Sequence, residues 1–63
     1  MIGEIIKYRR DLRDWSISEL AKEANVSTAY ISLLEANKAK NPSIEVIRKI
    51  ANALEMEPAE LIK

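Results

Sequence analysis

The residue types that carry most enzyme chemistry are missing from this chain. Its 63 residues contain no His and no Cys, so it has no imidazole base, no thiolate nucleophile and no soft metal ligand. A Ser/His/Asp set is impossible, and a single Gly leaves no glycine-rich phosphate cradle. Catalysis, a metal and a cofactor are therefore not expected. What remains is charge and hydroxyl groups. Ten Lys and Arg balance ten Asp and Glu, which is not the overall signature of a polyanion binder. Their distribution is more informative. Residues 7–13 set Lys7, Arg9, Arg10 and Arg13 against Asp11, a local +3, and residues 37–43 hold Lys38 and Lys40 with no acid, a local +2. Between them, residues 16–36 carry Lys22 against Glu19, Glu23 and Glu35, a local −2. Two basic stretches thus flank a mildly acidic centre, a pattern compatible with a nucleic-acid binder. Ordinary solvated helix faces give similar patterns, so charge leaves both readings open.

Other candidates read as packing or surface. Trp15, the only Trp, falls at a helix joint, where indole burial favours an anchor over base stacking. Tyr30 could donate to a phosphate or pack against the fourth helix. Glu55, Glu57 and Glu60 read as the solvated face of the C-terminal helices, and Glu19, Lys22 and Glu23 as helix-surface charge.

The elements that position these residues are all helical. Apolar residues recur at helical rather than alternating spacing, in one domain spanning residues 1–63 with no linker or repeat. The chain is near the lower size limit for folding without staples, and 48% hydrophobic residues must supply the core. No apolar run approaches the ~20 residues of a membrane span, and no signal peptide is evident, so a cytoplasmic location is expected. The first helix is predicted from Ile2 to Arg13, with Ile2, Ile5, Ile6 and Leu12 in register and Asp14 as a left-handed stop. "SISE", Ser16 to Glu19, fits a capping box for a second helix carrying Ile17, Leu20, Ala21 and Ala24. Asn25 tolerates positive φ, and Ser27 can cap a third helix from Thr28 to about Ala36, with Ile31 and Leu34 inward. "ANKAKNPS" reads as a loop. Ser43 caps a fourth helix with Ile44, Ile47, Ile50, Ala51 and Leu54 on one face, and Pro58 opens a short fifth that buries Leu61 and Ile62.

The segment from Ile17 to about Ala36 meets the demands of a helix-turn-helix. Two short helices meet steeply across a turn of a few residues. Ala21 is the small residue facing the partner helix, Asn25 the left-handed-tolerant turn residue, and Val26, Ile31 and Leu34 the apolar set beyond the turn. A generic helical hairpin meets one or two of these demands by chance; all together favour the DNA-binding motif.

The chain resembles the Cro/cI-type (Xre) repressor domain, in particular the SinR-type DNA-binding domain. The resemblance is carried by "MIGEIIKYRR", "WSISELAKEANVSTAYIS" and "NPSIEVIRKIANALEM", which cover most of the 63 residues. It implies an all-α, compact five-helix lambda-repressor-like fold that binds operator DNA, commonly as a dimer on an inverted repeat, without catalysis. It implies phosphate contacts from Ser16 and Ser18 at the start of the second helix. Base-facing positions would be Ser27, Thr28, Ala29, Ser32 and Leu33, and the phosphate-gripping loop Asn37, Lys38, Lys40 and Asn41. Arg10 and Glu35 match a family pair that bridges the first and third helices, read as structural.

Many phage repressors of this type carry Gln at the positions of Ile17, Thr28, Ala29 and Leu33, and SinR-type domains carry basic residues at those of Thr28 and Ala36. Here Thr28 and Ala29 are left to touch thymine methyls, and Ser27, Thr28 and Ser32 to hydrogen-bond a base or a bridging water. The expectation is a sequence-specific DNA-binding transcriptional regulator, a repressor, with a phosphate grip stronger than its base readout. A homodimer would use the C-terminal helices around Leu54, Leu61 and Ile62. The alternative is a protein-interaction module or antagonist on a repressor-like scaffold, docking through Ile17, Ala29, Leu33 and Ala36. The chain could equally be a natural short protein or an excised or engineered domain.

Overall fold

Three of the five helices start at a Ser whose hydroxyl satisfies a first-turn N–H. The computed structural model describes residues 2–39 and 41–62, and in it α1 spans Ile2–Leu12, α2 Ile17–Ala24, α3 Thr28–Glu35, α4 Ile44–Ala53 and α5 Pro58–Leu61. Ser16 Oγ accepts from Glu19 N at 3.1 Å while Glu19 Oε1 accepts from Ser16 N at 2.9 Å, completing the capping box. Ser27 Oγ accepts from Tyr30 N and Ser43 Oγ from Val46 N, at 3.0 and 3.2 Å. Each such cap stabilises its helix by about 1 kcal/mol.

The four longer helices all end the same way. At each end a left-handed residue turns the chain, and the next residue's N–H bonds back five residues: Trp15 to Arg10, Val26 to Ala21, Lys38 to Leu33 and Met56 to Ala51. This is the Schellman motif, which usually has Gly at the left-handed position. Here Asp14, Asn25, Asn37 and Glu55 occupy it, with φ of 56°, 58°, 57° and 55°. Asp and Asn tolerate this conformation through local hydrogen bonding; Glu does so at a greater cost.

One core is shared by all five helices. Ile6 from α1, Leu20 from α2, Ile31 and Leu34 from α3, Ile50 from α4, Leu54 and Leu61 are the large side chains sealed from solvent, with Ala21, Ala24, Ile47 and Ala51 filling between them. α2 packs on α3 and α4, while α1 packs on α3 and α5. The small alanines on α2 allow its close approach to both neighbours. Among the described residues no helix is long and apolar enough to cross a membrane.

Three apolar residues expected in the core are exposed instead: Leu12, Ile44 and Ile62. Leu12 is the last residue of α1, Ile44 the first of α4, and Ile62 the residue just after α5. The apolar stripe on each element runs one position beyond the point where a partner helix covers it. Leu54 and Leu61 are fully buried within the chain's own core, so they cannot form a dimer surface without opening it.

Candidate nucleic-acid interface

α3 is held from behind and left bare in front. Ile31 and Leu34 anchor its inner side, while Thr28, Ala29, Ser32 and Leu33 are exposed, as are the flanking Ser27 and Ala36. The Ser27 hydroxyl accepts the Tyr30 N–H, which leaves its own proton free to donate outward. Ser16 is placed alike at the start of α2, and Ser18 beside it is exposed. Tyr30 is half-buried and packed against the core, and so are Ile17, Val26 and Trp15. Ile17 is thus largely withdrawn from any outward apolar strip with Ala29, Leu33 and Ala36.

The C-terminal end of α3 is fixed by α1. Arg10 Nε meets Glu35 Oε2 at 2.7 Å and Nη2 meets Oε1 at 3.0 Å, a two-pronged pair with side chains only 11% and 9% exposed. The remaining prong, Nη1, donates to the Trp15 carbonyl at 2.6 Å, so one guanidinium joins α1, the turn before α2, and α3. The hydrogen bond to Glu35 raises the Arg10 pKa above its ordinary value, against the opposing effect of burial, and nearby Asp11 adds to the rise. The Glu35 carboxylate is thus held in a structural contact between α3 and α1.

A second clamp was not anticipated. Gly3 N donates to Asn37 Oδ1 at 3.2 Å, and a Cβ built on Gly3 would lie closer than 3.0 Å to the Leu34 and Glu35 carbonyl oxygens and to Asn37 Oδ1. The only Gly in the chain thus lets the start of α1 touch the end of α3. A signal existed: Gly inside a helix costs about 1 kcal/mol relative to Ala, so its presence in a first turn points to a close approach. Asn37 was expected to grip phosphate; its carbonyl oxygen faces Gly3, which leaves only its amide N–H₂ for that task. Lys38 and Asn41 are exposed, and Asn41 is left-handed with φ 47°. Lys40 lies outside the described residues.

The basic stretch at residues 7–13, on α1 and the turn after it, is not a free patch. Arg9 Nη2 lies 3.1 Å from Glu60 Oε2, and Arg13 Nη2 lies 3.2 Å from Glu55 Oε1 and donates to the Leu54 carbonyl at 3.0 Å. The Arg13 guanidinium also sits 5.1 Å from the centre of the Trp15 ring. Glu60 is correspondingly more than solvated surface, since its other oxygen accepts from Glu57 N. Among the described residues, Lys7, Lys22, Lys38 and Arg48 are exposed cations with no carboxylate partner. A groove of about 420 Å³ between Arg13, Trp15, Glu23, Lys49, Asn52 and Glu55 shares no residue with the α3 face. Among the described residues no group of acids could hold a metal ion.

A five-helix domain with a capped α2, a left-handed turn and a bare α3 defines a helix-turn-helix domain of the lambda-repressor-like fold. Comparison with known proteins agrees. The chain matches the family described as Helix-turn-helix over residues 6–61, and it belongs to that family, in its Cro/cI (Xre) type. It is 41% identical to the HTH-type transcriptional regulator SlrR of Bacillus subtilis over 61 residues, which are 97% of this chain and 40% of that protein. It is also 41% identical to the HTH-type transcriptional regulator SinR of Bacillus subtilis over 56 residues, covering 89% of this chain and 50% of that one. The chain therefore spans half or less of the length of these relatives. The crystal structure of SinR in complex with DNA superimposes with a TM-score of 0.94 at 38% identity, covering all of both chains. The DNA-binding domain of the P22 c2 repressor does so with a TM-score of 0.89 at 28% identity, over all of this chain and 82% of that one.

Proposed function

We propose that this domain is the DNA-binding part of a transcriptional regulator, a repressor of the cytoplasm, and that it inserts α3 into the major groove of an operator. The observation that carries this reading is the asymmetry of α3. Its inner side is sealed and its C-terminal end is clamped twice by α1, yet its outward face has no partner among the described residues. A helix so held is a rigid probe, and the similar SinR domain was solved bound to DNA.

In this reading Ser27, Thr28, Ala29, Ser32 and Leu33 face the bases. Ser16 and Ser18 at the α2 start, with Asn37, Lys38, Lys40 and Asn41 after α3, contact phosphates, helped by the positive end of α2. Two copies would read an inverted repeat with their α3 helices about 34–36 Å apart. With Leu54 and Leu61 buried, their contact would rest on the exposed surface of α5 and Ile62. The test is binding to random duplex DNA at low ionic strength and its decline with added salt. Measurable binding that weakens steeply is expected. No binding at low salt overturns the reading in favour of a protein-docking module on a repressor-like scaffold.

A further inference from the structure

Asn37, just beyond α3, is held on every side but one. Its backbone is left-handed, with φ 57°. Its own N–H returns to the Leu34 carbonyl at 3.0 Å, and the N–H of Lys38 reaches the Leu33 carbonyl at 2.8 Å. Its side chain crosses to α1, where Oδ1 accepts from Gly3 N at 3.2 Å. An N–H can be met only by an acceptor, so the amide oxygen must face Gly3 and the two donors on Nδ2 must point elsewhere. Asn37 is exposed, and among the described residues those donors have no partner.

This contact exists because residue 3 is Gly. A Cβ there would stand closer than 3.0 Å to the Leu34 and Glu35 carbonyl oxygens and to Asn37 Oδ1 itself. The two carbonyls belong to the helix end that the Arg10–Glu35 pair fixes, so a side chain at residue 3 would push α1 away and open the bond to Asn37. We infer that Gly3 is a positioning residue for DNA binding. Without touching DNA, its N–H locks the Asn37 amide with the N–H₂ outward, as a preorganised donor to one phosphate oxygen. A free Asn side chain has to be ordered on binding, and one already anchored does not. A donor-only group beside the exposed cation of Lys38 suits an anion. The lysine brings charge on a flexible stem, and the amide brings a fixed direction. This inference rests on the DNA-binding reading above and adds the α1 residue that aims one of its phosphate contacts.

The test uses a duplex selected by this domain from a random-sequence pool at low salt, resynthesised with one uncharged methylphosphonate at a time. Asn37→Gly keeps the left-handed turn and removes the amide. It should weaken binding about tenfold, the loss of one hydrogen bond to a charged group. The salt slope should not change, because no cation is removed. Asn37→Asp keeps the acceptor for Gly3 N and tolerates the turn, so its melting should stay near that of the unaltered domain. It should nonetheless bind more weakly than Asn37→Gly, with a carboxylate oxygen where the N–H₂ had been. A methylphosphonate at one position should weaken the unaltered domain and strengthen Asn37→Asp. Gly3→Ala should lose about two- to tenfold in affinity, the effect of ordering one free side chain on binding, and nothing further when combined with Asn37→Gly. If Gly3→Ala is too unstable to assay, exchange of the Gly3 amide proton takes its place. That exchange should be slow in the unaltered and Asn37→Asp domains and fast in Asn37→Gly, and fast exchange in the unaltered domain overturns the inference. Full affinity in Asn37→Asp, or a loss that no single methylphosphonate restores, overturns it and leaves DNA binding standing. Full affinity in folded Gly3→Ala reduces Gly3 to packing and overturns it as well. Failure of the unaltered domain to bind the starting pool overturns the DNA-binding reading and this inference with it.

Discussion

Arg9 and Arg10 on α1, and Arg13 in the turn just after it, each end on a carboxylate from another element, whereas Lys38, in the loop after α3, is exposed and meets none among the described residues. Two regions with similar composition thus differ in what the fold has done with their charge. The arginines join α1 to α3, to the turn after α4 and to α5, using a planar fork that holds two oxygens at once. The lysine keeps its compact charge on a flexible stem outside the core. A cluster of cations is a grip on DNA only where the fold has not already supplied its counter-charges.

Breaking the α1 side of this contrast should have the largest effect. Arg10→Leu leaves Glu35 buried without its cation, and a loss of about 3–5 kcal/mol is expected. A domain of this size has only ~3–9 kcal/mol in total, so urea unfolding should find the variant at the edge of stability or unfolded. A smaller loss, about 1–3 kcal/mol, is expected for Gly3→Ala, because the added methyl forces α1 and the end of α3 apart. Chemical denaturation should show a lower midpoint at unchanged m-value. Arg9→Ala should change stability by no more than about 1 kcal/mol, since its pair with Glu60 is 38% and 40% exposed and screened by water. Smallest, and opposite in sign, is Glu55→Gly. It relieves a left-handed Glu and gives up only a solvent-exposed contact to Arg13, so thermal melting should rise slightly.

Local chemistry accounts for what was legible beforehand. Ser16 with Glu19, Ser27 and Ser43 mark helix starts because a cap and its N–H lie three residues apart. Asp14 and Asn25 mark ends because each can turn left-handed by itself. The Arg10–Glu35 pair came from the family resemblance, not from spacing. What stayed hidden depends on partners distant along the chain. Arg9 and Glu60 are 51 residues apart, and Arg13 and Glu55 are 42, so the stretch at 7–13 looked like a free basic patch. Leu12, Ile44 and Ile62 fit the helical period, but a period does not show where a neighbouring helix stops covering it. The outward face of α3 was legible as a set of residues. That Asn37 turns its side-chain oxygen to Gly3 needed the packed structure.

The contrast between the two basic regions is tested most directly by the salt dependence of DNA binding in two double variants, Arg9→Ala with Arg13→Ala and Lys38→Ala with Lys40→Ala. Each cation that contacts a phosphate contributes about 0.9 to the slope of log affinity against log salt. The loop variant should lose about 1.8 from that slope, while the α1 variant keeps the slope of the unaltered domain. A slope that falls for the α1 variant and holds for the loop variant would contradict the assignment of the grip.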